Sequence, residues 1–178
     1  MKSSLASVVL LILTAAVSAA TLPRQSPEFA LSPPGGDTLL LSSFKGKVVV
    51  MEFLFIRSEH CLRVAQMLSS LQRELSPRGF QPVGVVFDPP NSGDGGRSIT
   101  AMVSYLKLSY PVAYASKDSV DSYLDRARDE ILNIPQIVVI DRKGTIRAVS
   151  GGGGGNARLE DEGALRNLLD GLLKESAD

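Results

Sequence analysis

The feature that most constrains this chain is the run at residues 48–55, which reads VVVMEFLF. It is apolar at every position but one and rich in β-branched and aromatic side chains. A strand with one wet face alternates apolar and polar residues. A run without alternation belongs to a strand covered on both faces. The next segment supplies one cover. Val64, Leu68, Leu71 and Leu75 recur at spacings of four, three and four, which is one stripe on a 3.6-residue period. Pro77 and Gly79 end that helix. Residues 82–88 (PVGVVFD) read as a second buried strand. Two buried strands joined through a helix demand parallel pairing, because only a crossover connects parallel neighbours.

The rest of the chain extends this layout. Residues 28–31 and 38–41 are short apolar stretches around Pro33-Pro34-Gly35-Gly36 and predict an N-terminal hairpin. Residues 42–47 read as a turn and 89–97 as a Gly/Pro/Asn loop. Ile99, Met102, Val103 and Leu106 share one side of a short helix over 98–106. An extended piece is predicted at 111–114 and a helical one at 118–124. Residues 136–141 and 145–150 form a tight antiparallel hairpin through Arg142-Lys143-Gly144. Residues 160–174 make an amphipathic helix with Leu165, Leu168, Leu169, Leu172 and Leu173 inward. The expectation is an α/β fold: a central mixed β-sheet flanked by helices, with an N-terminal β-hairpin. There is no internal repeat.

Residues 1–20 (MKSSLASVVLLILTAAVSAA) carry Lys2, an apolar stretch and a small-residue end, the pattern of a cleavable export signal. The apolar stretch is shorter than the roughly 20 residues a spanning helix needs. No cysteine stands at the cleavage point to carry a lipid anchor, and no later segment is apolar enough to span. The expectation is a mature domain over 21–178, periplasmic or secreted, with no membrane span after cleavage. The whole chain, with 178 residues, 44% hydrophobic and 21% charged, has the size and composition of one globular domain. Lys+Arg and Asp+Glu are each 19, so no charge excess points to nucleic acid. Cys61 is the one cysteine and His60 the one histidine. That excludes an intrachain disulfide and leaves too few ligands for a Cys/His zinc site. No cofactor is implied.

Four stretches together resemble the thioredoxin-like redoxins of the exported TlpA and AhpC/TSA types. SPEFALSPPGGDTLLLSSFKGKVVVMEF resembles the first part of such domains. FLFIRSEHC lies where the family carries Cys-x-x-Cys. GFQPVGVVFD resembles its next strand, and NIPQIVVIDRKGTIRAVSG its cis-proline hairpin. The likeness runs from about residue 26 to 174. It implies a thioredoxin-like fold, thiol–disulfide or antioxidant redox chemistry, and partners that bear thiols or disulfides, either proteins or small thiols.

The departure falls at the centre of that chemistry. The motif reads Ser58-Glu59-His60-Cys61, so a serine holds the position of the attacking cysteine. A hydroxyl is not a disulfide nucleophile. Ser58 is instead expected to cap the helix, a role worth about 1 kcal/mol. Cys61 is either a half-buried small hydrophobe or a lone thiol that pairs with another molecule. Alternation places Glu52 beside Val50 and Leu54. By resemblance it matches the buried acid beneath the second cysteine; otherwise it reaches solvent or a cation. Pro135 matches the cis-proline, which would present the backbone of Ile134 to an extended peptide. His60 is either a solvent-facing helix residue or a charge partner for a thiolate.

Three other chemistries fit less well. A serine hydrolase needs a base facing Ser58, and a histidine two residues along a helix points elsewhere. The peroxiredoxin pattern Pro-x-x-x-Thr/Ser-x-x-Cys meets Leu54 where its proline belongs, and the nearest arginines, Arg142 and Arg147, lie past the strand end. The five glycines at 151–155 lack the Lys-Ser/Thr of a phosphate loop and read as a tether.

Overall fold

All seven residues of β4 (Val48–Leu54) are buried, and so are all seven of β5 (Phe80–Val86). Two strands without a wet face require layers above and below, and the chain provides them. In the computed structural model the described residues are 22–87, 96–127, 130–151 and 158–177. The expected signal at 1–20, most of the loop at 89–97 and glycines 152–155 lie outside them. The other strands are β1 (Arg24–Gln25), β2 (Ala30–Leu31), β3 (Leu39–Leu40), β6 (Val112–Tyr114), β7 (Gln136–Ile140) and β8 (Thr145–Val149). The helices are α1 (Glu59–Leu75), α2 (Arg97–Leu106), α3 (Lys117–Tyr123) and α4 (Glu162–Leu172).

The central sheet has six strands in the order β1-β8-β7-β4-β5-β6. β4, β5 and β6 run parallel, and β7 lies antiparallel to β4. The sheet is therefore mixed, as expected. Alternate residues of β4 feed two cores. Val48, Val50 and Leu54 pack with the apolar stripes of α1, α2 and α4. Val49, Met51 and Phe53 pack with α3 and with Phe29 and Leu31. The predicted hairpin is the pair β2–β3, joined to the main sheet through a bridge between Ser32 and Tyr114.

Two differences from the sequence reading have physical causes. β5 begins at Phe80, ahead of the expected 82, and carries Pro82 inside it. The Gly84 amide donates to Pro111 O on the β6 side. Pro82 faces the same side two residues earlier, beyond the end of β6, so its missing N–H costs no ladder bond. β1 was not foreseen. Its two residues, Arg24 and Gln25, carry no apolar signal, and pairing with Ile146 and Thr145 of β8 holds them. Among the described residues no helix is long and apolar enough to cross a membrane.

Candidate functional site around the start of helix α1

β4 delivers the chain to α1 through a turn closed by the Ser58 amide donating to Phe55 O at 3.1 Å. Ser58 has extended backbone angles (φ −92°, ψ 111°), and its Oγ accepts from the Cys61 amide at 3.4 Å. Its carbonyl accepts from Leu62 N at 3.0 Å. This is an N-cap: the side chain satisfies one of the amides a helix start leaves orphaned. Glu59 follows in the first turn, where negative charge suits the helix dipole.

Cys61 has no exposed surface and lies in the same apolar cluster as Leu54, Val64 and Leu68. Burial pushes its thiol above the ordinary 9.0. Hydrogen bonding from the Ser58 hydroxyl and from the backbone at Phe55 and Cys61 opposes that shift, and the Glu52 charge adds to it. The net effect disfavours the thiolate, the form that attacks disulfides.

Glu52 is also fully buried, and neither carboxyl oxygen has a hydrogen-bond partner. It sits in β4 with Gly84 on one side and Ile137 on the other. Burial raises its carboxyl well above 4.5. A buried acid without partners is held neutral in this way, because desolvation penalises the charged form. Tyr110 completes the interior group. Its hydroxyl donates to Ala65 O of α1 at 3.1 Å, and burial, followed by the Glu52 charge, pushes it well above its ordinary value. Sequence reasoning missed this residue. A tyrosine before Pro111 has no periodic neighbours and signals only a strand boundary.

His60 turns outward. Its Nε2 lies 3.1 Å from Glu160 Oε2, with the two side chains 48% and 40% exposed. The imidazole therefore links α1 to the segment leading into α4, and Ser58 receives no base from it. The neighbouring Leu159 is buried in the cluster that holds Cys61. Glu160 was also missed, because nothing in its spacing relates it to a histidine a hundred residues earlier.

The Ile134–Pro135 peptide bond is cis. Phe53 is in register with Gln136, so Pro135 stands beside the end of β4, where the chain turns toward Ser58. Ile134 is half-buried and packs against both cores. Arg142 and Arg147 are elsewhere. Arg142 binds Gly46 O and Arg78 O, just before the starts of β4 and β5. Arg147 pairs with Asp141 and Glu175. Neither reaches the end of β4 that carries Ser58. Among the described residues no cluster of three or more His, Cys, Asp or Glu is placed to hold a metal ion.

Residues 23–149 match the AhpC/TSA family. No curated protein sequence matches the chain. Among solved structures, it is similar to a thiol:disulfide interchange protein of the thioredoxin family from Chlorobium tepidum. That likeness has 19% identity and a TM-score of 0.69, over 86% of this chain and 99% of that one. It is similar to the thioredoxin domain of a thiol-disulfide oxidoreductase from Bacteroides vulgatus, with 21% identity and a TM-score of 0.68, over 87% and 99%. A thiol:disulfide interchange protein from Bacteroides sp. gives 20% and 0.68, over 89% and 93%. At these identities the likeness establishes the fold, which is thioredoxin-like.

Proposed function

The chain belongs to the AhpC/TSA family, and from that premise we propose that it is an exported redoxin-fold protein that binds thiol- or disulfide-bearing partners without cycling electrons through a dithiol. The observation that carries this reading is the state of the helix start. Ser58 caps α1 where a redoxin's attacking sulfur would stand, and Cys61 is wholly buried with its thiol held protonated. One sulfur cannot close a disulfide within the chain. Its residual chemistry is a single exchange: the Cys61 thiol loses its proton, its sulfur bonds to one sulfur of a partner disulfide, and the other leaves as a thiol. Reopening that mixed disulfide needs a second thiol from outside. The cis Ile134–Pro135 peptide beside the end of β4 supports recognition of an extended segment through backbone pairing.

The test compares wild type, Ser58→Cys and Cys61→Ala. Wild type is expected to take up at most one glutathione per chain from oxidised glutathione, slowly, and to show no catalytic turnover of a disulfide substrate. Ser58→Cys should gain turnover. Cys61→Ala should bind a cysteine-containing peptide as wild type does. Turnover by the wild-type monomer, or a Cys61 as reactive as an accessible thiol, overturns the proposal.

A further inference from the structure

At the opposite end of the sheet from Ser58, a cleft of about 280 Å³ opens between the segment at 25–28, the turn at 41–45, the start of β4 and the β7–β8 hairpin. We propose that this cleft binds a small amphipathic anion, with its apolar body on the sheet and its acidic group among lysines. Val49 and Ile140, each 3% exposed, form part of the lining together with Leu41 and Phe44. Lys45 and Lys47 line it from one side and Lys143 from the hairpin.

The charge around the cleft is unbalanced. Among the described residues none of these lysines is in an ion pair, whereas arginines 63, 78, 126, 147 and 166 and Lys117 all are. Lys47 contacts a neutral amide, Gln81 Oε1 at 3.3 Å, and lies over the Phe44 ring. The two carboxylates lining the cleft keep their charge, but their oxygens are turned to partners of their own. Glu28 Oε1 accepts from the amides of Phe29 and Ser42. Asp141 Oδ1 accepts from the amides of Lys143 and Thr145, and Oδ2 from Arg147. Arg142, also in the lining, has only carbonyl partners. The lining as a whole thus carries Lys45, Lys47, Arg142 and Lys143 against Glu28 and Asp141, an excess of two positive charges.

The geometry also limits the ligand. Ligand cavities typically span roughly 300–1,000 Å³, so this one suits a body of about one ring. Ammonium groups act as point charges and impose no planar fork, so carboxylate, sulfonate and phosphate heads all meet the same chemistry. An apolar lining adds affinity for the body that a bare inorganic anion cannot claim.

The experiment is an amide-resolved NMR titration of the full chain with phenyl phosphate, using inorganic phosphate and benzyl alcohol as the two half-probes. The expected result is saturable shifts at Lys45, Gly46, Lys143 and Gly144, with phenyl phosphate at least about tenfold tighter than either half-probe. Lys45→Ala/Lys143→Ala should weaken it by about tenfold or more and leave other resonances in place. Cys61→Ala should bind unchanged, which separates this site from the one at α1. Three outcomes overturn the proposal: shifts that grow linearly with concentration, equal affinity for inorganic phosphate, or indifference to the double substitution.

Discussion

Glu52 shows how one residue couples burial to pH. Its carboxyl is fully buried without a partner, and burial lifts it well above 4.5. The native state therefore holds a proton that the unfolded chain has released. Between 4.5 and the raised folded value the native state binds more protons than the unfolded one, so stability falls as pH rises through that window. The contribution is whole below the unfolded value and gone above the folded one. Glu52→Leu removes the carboxyl and keeps much of the bulk. It is expected to raise the unfolding free energy at pH 8, by about 1–3 kcal/mol if the acid's desolvation dominates, and by less at pH 5. Urea midpoints at the two pH values measure this. An equal gain at both would show that Glu52 does not titrate with folding. The position of Glu52 was legible, because strand alternation alone sets it beside Val50 and Leu54. Its lack of partners was not legible, since that depends on which polar atoms α1 and the segment before β6 bring to the same interior.

At the scale of elements, most of the architecture was legible because helix and strand periods are strong in this sequence. The stripe of Val64, Leu68, Leu71 and Leu75 is the buried face of α1, and 97–106, 117–123 and 162–172 are helices close to where expected. What the pattern missed has no apolar period to read: the two-residue β1, and the ion pair of His60 with Glu160. The cap of α1 was readable from residue type, and it can be tested without the chemistry. Ser58→Ala deletes the oxygen that accepts from Cys61 N, and should lower stability by about 1 kcal/mol. Ser58→Asp restores an acceptor and adds charge suited to the helix start, so it should recover most of the loss. The check is a shift in denaturant midpoint with an unchanged slope. If alanine is neutral, the serine contributes nothing as a cap, and another reason for a hydroxyl at this position must be sought.

At the scale of the whole molecule, the two cores are separated by the sheet, and their edges are joined by polar clasps. One of these is Arg142. It was read as a turn residue, and its length is what that reading left out. Its Nη1 donates to Gly46 O at 2.9 Å, and its Nη2 donates to Arg78 O at 2.6 Å and Leu173 O at 3.3 Å. One guanidinium thus ties the lead into β4, the end of the α1 region and the end of α4 to the β7–β8 hairpin. Gly79 belongs to the same arrangement. Its φ is +92°, and a Cβ there would stand 2.7 Å from Arg142 Nη1, so glycine serves both the backbone and the clasp. Arg142→Met keeps much of the stem and removes the donors. Hydrogen bonds from a charged group contribute about 1.5–3 kcal/mol, and the substitution should cost about that much in unfolding free energy. Arg142→Lys should recover only part, because an ammonium on a shorter reach cannot span three carbonyls that a planar fork can. Amide exchange then separates a clasp from an ordinary surface contact. With a clasp, protection drops together in the segments around Gly46, Arg78 and Leu173, while α2 is unchanged. A loss confined to the hairpin itself would mean that Arg142 shapes its own turn and does not hold the three segments together.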